Sequence, residues 1–351
     1  MLSLHMLSAG KGDCLWISYG AAGASHHIVI DGGPKKTPAL RAHVNAKLES
    51  AAGGGLHIDL LVVTHIDDDH IGGVLNLLRA PPDGLTIGEI WFNGRPQLFP
   101  PDTLGVDQGE RLSDALEHRK DAWNSSFAGG PVVVPDAAPL PCFKRPDGLQ
   151  LTLLSPSPHD LERLKQKWSA ELATEDQEEP EAVPSDLLGL HDEWPPKIES
   201  LADSKFVPDP KAANGSSIAL LLEYQGKRVL LAADAHAPRL VEALDRLDRE
   251  KPLGLDALKL SHHGSAKNTS RELLFRVCCG RYLISSDGSY FGHPDPAAIA
   301  RVIIYGGMAP ELLFNSARHH AARWDDDELK REFGYQTRHP RDEKDGMLLS
   351  L

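Results

Sequence analysis

The ten residues THIDDDHIGG, from Thr64 to Gly73, constrain the fold of this chain more than any other feature. Positions 65–70 hold two histidines and three aspartates, and the apolar run IDLLVV (58–63) comes directly before them. Such a run, apolar except for Asp59, is typical of a strand buried on both faces, and the following GGVLNLLRA predicts a helix. Side chains that follow a strand of this kind converge on a crevice at its carboxyl end. The stretch therefore predicts a cation-binding loop between a strand and a helix.

The spacing inside the cluster suits two ions. His65 and Asp67 alternate, so in an extended loop they point to the same side, while Asp69 and His70 begin the helix and can reach a second ion. Imidazole suits zinc, iron or manganese, and carboxylate oxygen shifts the preference toward harder ions. The alternative is a solvated loop whose acids cap the following helix and hold no metal.

Two further strand ends carry groups of the same chemistry. Asp234 ends the predicted strand RVLLAAD, and His262 and His263 follow the predicted strand DALKLS. Taken singly, Asp234 could be the cap of a helix over 236–249, and the histidine pair a polar turn before Gly264. Three strand ends with metal-binding side chains in one chain favour a shared metal centre.

Composition and charge limit the classes of function and the cellular compartments that we expect. The 351 residues carry a net charge of −13, which argues against a long duplex-binding surface but not against binding a short phosphodiester through a metal. No apolar run approaches the roughly 20 residues that span a bilayer, and the N-terminus has no signal-peptide pattern. Four cysteines without a C-x-x-C pair favour a reducing compartment. We expect a cytoplasmic protein that has no membrane partner.

The chain divides into two kinds of sequence. Residues 95–210 are rich in proline and charge and include two predicted helices (108–122 and 159–171) and the acidic run ELATEDQEEPEA (171–182). We interpret 95–210 as an insertion, part helical cap and part flexible acidic loop, in a single domain spanning 1–351 with its core in 1–94 and 211–351. The core sequence has strands and then helices, twice. This order predicts an α/β fold of two sheets packed face to face with helices outside, a four-layer α/β/β/α sandwich.

Six stretches, taken together, resemble a known family. They are SAGKGDCLWI (8–17), VIDGG (29–33), THIDDDHIGG (64–73), NGSSIALLLEYQGKRVLLAAD (214–234), LKLSHHGSAKNTS (258–270) and YLISSDGSYFGHPDP (282–296). In this order they resemble the metallo-β-lactamase fold superfamily, and more narrowly the hydrolase domain of the ComEC/Rec2 competence family. That family's multi-spanning channel domain has no counterpart here, so we expect a free-standing relative, and DNA uptake does not follow.

The resemblance implies a set of site residues. The implied metal ligands are His65, Asp67, Asp69, His70, Asp234 and His262, with Asp234 bridging two ions. Asp31 is implied as an acid that orients a ligand. Asp67 stands where other members of the superfamily have a histidine, and the stretch KAANGSSI lacks a further histidine that they usually supply, offering Asn214, Ser216 and Ser217 instead. Both departures make the site richer in oxygen.

Three other residues are candidates for substrate contact. His263 could donate a proton to a leaving oxygen and Lys267 could neutralise a phosphate, which would place both with Asp69 among the catalytic residues. His293 resembles a histidine that recurs in the ComEC-like pattern, so we group it with Asp31, Asn214 and Ser217 as a residue that contacts substrate or orients a ligand. For each, an ordinary exposed or turn position is the alternative.

These observations predict a metal-dependent phosphodiesterase or nuclease. Two divalent ions, manganese or zinc with magnesium also suited, would supply a bridging hydroxide for attack on a phosphodiester of DNA, RNA or a nucleotide. The alternatives are a hydrolase of carbonyl esters, lactones or thioesters that uses the same metals, and a non-catalytic metal-stabilised subunit that docks to a protein partner through 95–210.

Overall fold

The computed structural model describes residues 1–21, 24–51, 53–99, 108–119, 122–173, 194–247, 251–289 and 292–351. The strands in these ranges are β1 (Leu2–Met6), β2 (Leu15–Ala21), β3 (Ala24–Ile30), β4 (Leu56–Val62), β5 (Leu85–Trp91), β6 (Cys142–Lys144), β7 (Gln150–Ser155), β8 (Ala219–Tyr224), β9 (Lys227–Leu231), β10 (Leu253–Leu255), β11 (Ala257–Lys259), β12 (Val277–Cys279), β13 (Arg281–Ile284), β14 (Glu311–Phe314), β15 (Gln336–Arg338) and β16 (Met347–Ser350). The helices are α1 (Ala39–Ser50), α2 (Asp68–Arg79), α3 (Arg95–Leu98), α4 (Gln108–Glu117), α5 (Pro158–Ala173), α6 (Ile198–Ala202), α7 (Ala212–Gly215), α8 (Ala237–Arg246), α9 (Arg271–Phe275), α10 (Pro296–Tyr305), α11 (His319–Ala322) and α12 (Asp327–Phe333).

Two large sheets form the centre of the fold. The first has the strand order β16-β1-β2-β3-β4-β5 and the second the order β15-β14-β13-β11-β9-β8-β7-β6, while β10 and β12 form a small separate pair. In the first sheet β3, β4 and β5 run parallel, and in the second β9, β11, β13, β14 and β15 run parallel. Each sheet therefore has a row of parallel strands whose carboxyl ends share one edge.

The alternation of side chains along the first sheet separates its two faces. Leu60 and Val62 of β4 belong to the core that also contains residues of the second sheet, such as Leu222 and Leu230. Leu61, between them, belongs to the core on the other face, which includes side chains of α1 and α2.

The outer face of the second sheet is covered in the same way. Leu240 of α8, Leu274 of α9 and Ile299 of α10 are buried in the core that includes the strands of this sheet. Helices thus cover both outer faces, and the predicted four-layer α/β/β/α sandwich is confirmed.

Part of the segment 95–210 belongs to the second sheet. Strands β6 and β7 extend the second sheet beyond β8, with Leu151 facing Leu222 across the β7–β8 pair. The core therefore includes residues 142–155. The short apolar run QLTLLS was obscured in the sequence by the proline and charge around it. The predicted helices correspond to α4 and α5, and the acidic run from residue 174 onward lies outside the described residues.

None of the described helices is both long enough and apolar enough to cross a membrane.

Candidate metal centre

The predicted site residues follow four strands at the edge that the two sheets share. Asp31 follows β3 and His65 lies just beyond β4 in the first sheet, while Asp234 lies beyond β9 and His263 beyond β11 in the second. All four side chains are buried. Because carboxyl ends of parallel strands converge, residues distant in the sequence meet here, as the sequence analysis predicted.

Asp234 is the centre of the cluster. Its Oδ2 atom lies within 3.8 Å of the Nε2 atoms of four histidines. The separations are 3.4 Å for His70, 3.7 Å for His262, 3.8 Å for His65 and 3.8 Å for His263. A carboxylate surrounded by four imidazoles in this way could share a cation with any of them.

A hydrogen bond at Nδ1 fixes each of these rings. The partners are Asp31 Oδ2 for His70 (2.7 Å), Thr64 Oγ1 for His65 (3.0 Å), Asn268 Oδ1 for His262 (3.1 Å) and the Ser285 carbonyl for His263 (2.9 Å). When Nδ1–H donates to such a partner, the lone pair of the neutral ring is on Nε2. Outer partners of this kind orient histidines that bind metals.

The Asp31 carboxylate also fixes the loop itself. It accepts a hydrogen bond from the Thr64 backbone N–H (2.8 Å) and another from the Thr64 hydroxyl (2.7 Å). The hydroxyl hydrogen is thus committed to Asp31, so the same oxygen is left to accept from His65 Nδ1. One buried acid therefore positions both histidines of the THIDDDH stretch.

The buried donor atoms fit divalent cations. The Nε2 atoms of His65, His70 and His263 and the Oδ1 atom of Asp234 are buried and have no hydrogen-bond partner within the described protein. Leaving such atoms unsatisfied costs on the order of 1–3 kcal/mol each. Their ligand atoms form overlapping groups within 4.8 Å. Among these groups are His65 with His70 and Asp234, Asp69 with His70 and His263, and Asp13 with Asp234 and His263.

The carboxylates give the cluster an excess of negative charge. Burial alone would raise the pKa of Asp69, but the neighbouring His263 and His70 outweigh burial and hold that pKa far below its ordinary value. Burial alone would lower the pKa of His263, but Asp234 and Asp13 outweigh burial and raise it to about 9. The cluster therefore attracts positive charge, which bound cations would supply.

Asp67 lies at the entrance of the cluster. Its Oδ2 atom is 3.7 Å from Nε2 of His65, and its side chain is 35% exposed, whereas the histidine is fully buried. It is therefore the predicted ligand most accessible from solvent.

The backbone around the cluster is strained where it carries site residues. Asp31, Ala233, His262 and His263 all have φ between 48° and 59°, in the left-handed region that residues with a Cβ rarely adopt. Such strain persists where the surrounding structure over-determines the conformation, and it is common at functional sites. At the histidine pair it turns two consecutive side chains toward Asp234.

Close backbone approach explains two of the glycines. A Cβ on Gly12 would lie 1.8 Å from the Asp69 carbonyl oxygen, and one on Gly73 would lie 1.9 Å from that of Gly32. The loop after β1 and the loop after β3 therefore press directly against the start of α2.

The structure brings most of the predicted site residues together. His65, Asp67, Asp69, His70, Asp234 and His262 surround one centre, with Asp31 behind His70. His263, predicted as a proton donor, lies inside this centre, with Nε2 3.6 Å from Asp69 Oδ2. The side chain of Lys267 is exposed at the surface, outside the buried cluster.

The remaining predicted residues form one wall of the site. Asn214 Nδ2 donates to Asp209 Oδ2 (2.7 Å), and that oxygen lies 3.4 Å from His262 Nδ1. Ser217 is fully buried, and its hydroxyl has no partner among the described residues. The His293 ring lies 5.2 Å from that of His262 and bonds to Asp295.

The sequence analysis missed four residues that support this centre. Asp13 lies 3.2 Å from His263 Nδ1, Lys259 pairs with Asp13, and Asp209 and Asn268 flank His262. Asp13, Lys259 and Asn268 lie within the stretches that carry the family resemblance, which is a signal that could have identified them. Asp209 carries no such signal.

Comparisons with known proteins agree with this arrangement. Residues 10–107, which contain THIDDDHIGG, match the family model of the metallo-beta-lactamase superfamily. This part of the chain is similar to the metallo-β-lactamase superfamily, which is generally hydrolytic and binds divalent metals. His65, Asp69 and His70 of the buried cluster lie within the matched residues, whereas Asp234 and His263 lie outside them. No curated protein matches the chain.

The solved structures that match this chain share little sequence with it. The metallo-beta-lactamase fold protein YhfI from Bacillus subtilis is 12% identical, with 99% of this chain and 98% of that one covered at a TM-score of 0.42. Zn(2+)-bound PqqB from Methylobacterium extorquens is 13% identical, with 99% and 100% covered at 0.42. A putative metal-dependent hydrolase from Parabacteroides distasonis is 10% identical, with 96% and 92% covered at 0.38.

Proposed function

We propose that this chain is a metal-dependent phosphodiesterase or nuclease. It would hold two divalent cations, manganese or zinc, between the strand ends of its two sheets. The ligands would be His65, Asp67, Asp69, His70, Asp234, His262 and His263.

The observation that carries this proposal is the carboxylate content of the centre. Asp67, Asp69 and Asp234 contribute oxygens to a site whose buried imidazoles are already oriented. Oxygen ligands favour harder ions such as manganese and magnesium over zinc. Cations of this kind would lower the pKa of a water molecule and stabilise negative charge on the oxygens of a phosphodiester.

The protein's own groups would position the substrate and the ions. Asp31 and Thr64 hold His65 and His70 in one orientation, so those rings need little rearrangement during the reaction. The partly exposed Asp67 marks the side from which the substrate enters. The placement of His263 against Asp69 and Asp234 supports a ligand role for it rather than the proton-donating role first considered.

Hydrolysis of bis-p-nitrophenyl phosphate with manganese tests the proposal. We expect Asp234→Ala and Asp67→Ala to abolish turnover while the circular dichroism spectrum is retained. Asp327→Ala removes a carboxylate that is 90% exposed on α12 and should leave turnover unchanged. Undiminished hydrolysis by Asp234→Ala would refute the assignment.

A second candidate function follows from the number of histidines. Four imidazoles reach Asp234, and a nitrogen-rich site suits zinc and carbonyl substrates such as esters, lactones or thioesters. Comparing bis-p-nitrophenyl phosphate with p-nitrophenyl acetate, each with manganese and zinc in turn, separates the two reactions. Metal that raises the melting temperature without turnover of either substrate would favour a non-catalytic, metal-stabilised subunit.

We also propose a closer family relationship and a cellular compartment for this chain. The six stretches quoted above support a closer relation to the ComEC/Rec2 hydrolase domain within the superfamily. All four cysteines, Cys14, Cys142, Cys278 and Cys279, are free thiols, which supports a reducing compartment such as the cytoplasm.

A further inference from the structure

A positively charged depression lies between α5 and the turn that leads into α7. It has a volume of about 530 Å³ and is lined by Arg163, Gln166, Lys167, Pro210, Lys211 and Ala212. Three of these residues are cationic and none is acidic, although the chain as a whole carries a net charge of −13. A local excess of positive charge in an acidic protein favours an anionic ligand.

Backbone contacts hold the two sides of the depression together. Arg163 Nη2 donates to the Pro210 carbonyl (2.8 Å), which ties α5 to the chain that enters α7. The Lys211 backbone N–H donates to Asp209 Oδ1 (3.0 Å), and the Lys211 carbonyl bonds to His236 Nε2 (3.0 Å). Hydrogen bonds that involve backbone groups thus set the positions of Arg163 and Lys211.

The same turn forms the wall of the metal centre. Asp209, which fixes the Lys211 backbone through one oxygen, has its other oxygen 3.4 Å from His262 Nδ1. Beyond α7, the backbone N–H of Ile218 donates to the Thr64 carbonyl (3.0 Å), beside the first histidine of the centre. The depression and the metal centre therefore lie on two sides of one short segment.

The metal centre opens to solvent at Asp67, whose side chain is 35% exposed. The segment that carries Lys211 also carries Asp209, which reaches His262 of the centre. A strand with one phosphate at the metal centre could therefore extend along this segment to Lys211 and Arg163.

We propose that this depression is an anion subsite that binds the phosphate next to the one at the metal centre. The substrate class would then be a nucleic-acid strand rather than a compound with a single phosphodiester. Guanidinium and ammonium groups bind backbone phosphates without reading bases, so the subsite would add affinity and not sequence preference. This inference rests on the proposed phosphodiesterase function.

Binding of a fluorescein-labelled oligothymidylate to the full chain tests the subsite without turnover. Anisotropy in EDTA over a range of salt concentrations gives the affinity and its salt dependence. We expect Arg163→Gln/Lys211→Gln to weaken binding about tenfold at low salt and to reduce the slope of log K against log salt by about 1.4, for two lost contacts with a single strand. Arg163→Gln alone leaves the surroundings of Asp67 intact and should reduce the slope by about 0.7.

A charge-matched control separates the subsite from net charge. Lys144→Gln/Lys227→Gln removes the same two charges from β6 and β9 and should change neither the affinity nor the slope. An unchanged slope in Arg163→Gln/Lys211→Gln, or an equal loss in this control, would overturn the subsite.

Turnover distinguishes the subsite from the proposed function. With manganese, the ratio of kcat/KM for oligothymidylate to that for bis-p-nitrophenyl phosphate should fall at least tenfold in Arg163→Gln/Lys211→Gln and stay constant in the control. An unchanged ratio contradicts the subsite even if both substrates are hydrolysed. If the wild type hydrolyses neither substrate, the phosphodiesterase proposal fails, and the anisotropy measurement still decides whether the subsite exists.

Discussion

The ammonium group of Lys259 lies 2.8 Å from Oδ2 of Asp13, and both side chains are fully buried. Lys259 also donates to the Leu260 carbonyl (3.0 Å), and Asp13 Oδ1 lies 3.2 Å from Nδ1 of His263. Burial alone would raise the pKa of Asp13, but Lys259 and His263 outweigh burial and hold that pKa far below its ordinary value. A buried lysine on β11 thus supports an ionised acid that contacts a histidine of the metal centre.

Replacing the lysine should destabilise the fold more than an exposed lysine would. Lys259→Met removes the ammonium partner of the buried Asp13 carboxylate, and breaking a buried pair from one side costs about 3–5 kcal/mol. Lys227→Met breaks the more exposed pair with Asp256 and should cost less than about 1 kcal/mol. Urea denaturation of both variants measures the free energy of unfolding, and equal losses would contradict the role given to the buried pair.

Sequence reasoning reached the centre because its ligands follow apolar runs. The strands before His65, Asp234 and His262 are recognisable from composition alone, and carboxyl ends of parallel strands converge. No apolar run marks the Lys259–Asp13 pair, since Asp13 lies in the loop between β1 and β2 and Lys259 lies 246 positions away at the end of β11. A lysine within a predicted strand indicates an exposed edge more often than a buried ion pair.

The histidine pair shows a second limit of sequence reasoning. The family resemblance implied only His262 as a ligand and left His263 as a candidate proton donor; neighbouring residues in extended backbone do face opposite sides. Both have left-handed backbone conformations, with φ of 48° and 56°, and both direct Nε2 toward Asp234. The sequence HHG by itself does not predict that two consecutive residues adopt a left-handed conformation.

Removing His263 should weaken metal binding strongly. His263→Ala takes away a buried Nε2 atom that faces both Asp69 and Asp234, so we expect zinc affinity at pH 8 to fall at least about 100-fold. Isothermal titration calorimetry against a competing chelator measures this affinity. His57→Ala removes an exposed histidine of β4 and should leave it unchanged. Wild-type zinc affinity in His263→Ala would restore the proton-donor role instead.

Filling the space at Gly12 should disturb the start of α2. An added Cβ would meet the Asp69 carbonyl oxygen at 1.8 Å, so Gly12→Ala must move the loop or the helix at a cost of about 1–3 kcal/mol or more. Gly254→Ala adds the same methyl group where nothing lies within 4 Å and should change stability by less than about 0.5 kcal/mol. Thermal unfolding compares the two, and because Asp69 moves, zinc affinity should fall in Gly12→Ala alone.

The pH dependence of stability should reflect histidines packed around Trp16, remote from the candidate ligands in sequence. The rings of His43 and His27 lie 4.7 Å and 5.1 Å from the Trp16 ring, and burial lowers the pKa of each to about 4. Positive charge from neighbouring groups, including Lys47, adds to this effect.

The sign of the effect follows from where each state takes up its proton. In the unfolded chain these histidines protonate near pH 6.5, whereas in the folded protein they stay neutral until about pH 4. The unfolded state therefore binds more protons across this interval, and stability is lost as the pH falls through it.

His43→Phe keeps an aromatic ring beside Trp16 but removes one of these protons. Urea denaturation from pH 7.5 to 5.0 measures how the free energy of unfolding falls with pH. The fall should be smaller in His43→Phe than in wild type, by an amount that approaches the uptake of one proton. His57→Phe should show the same fall as wild type. Identical pH profiles for wild type and His43→Phe would show that His43 is not held neutral by the fold.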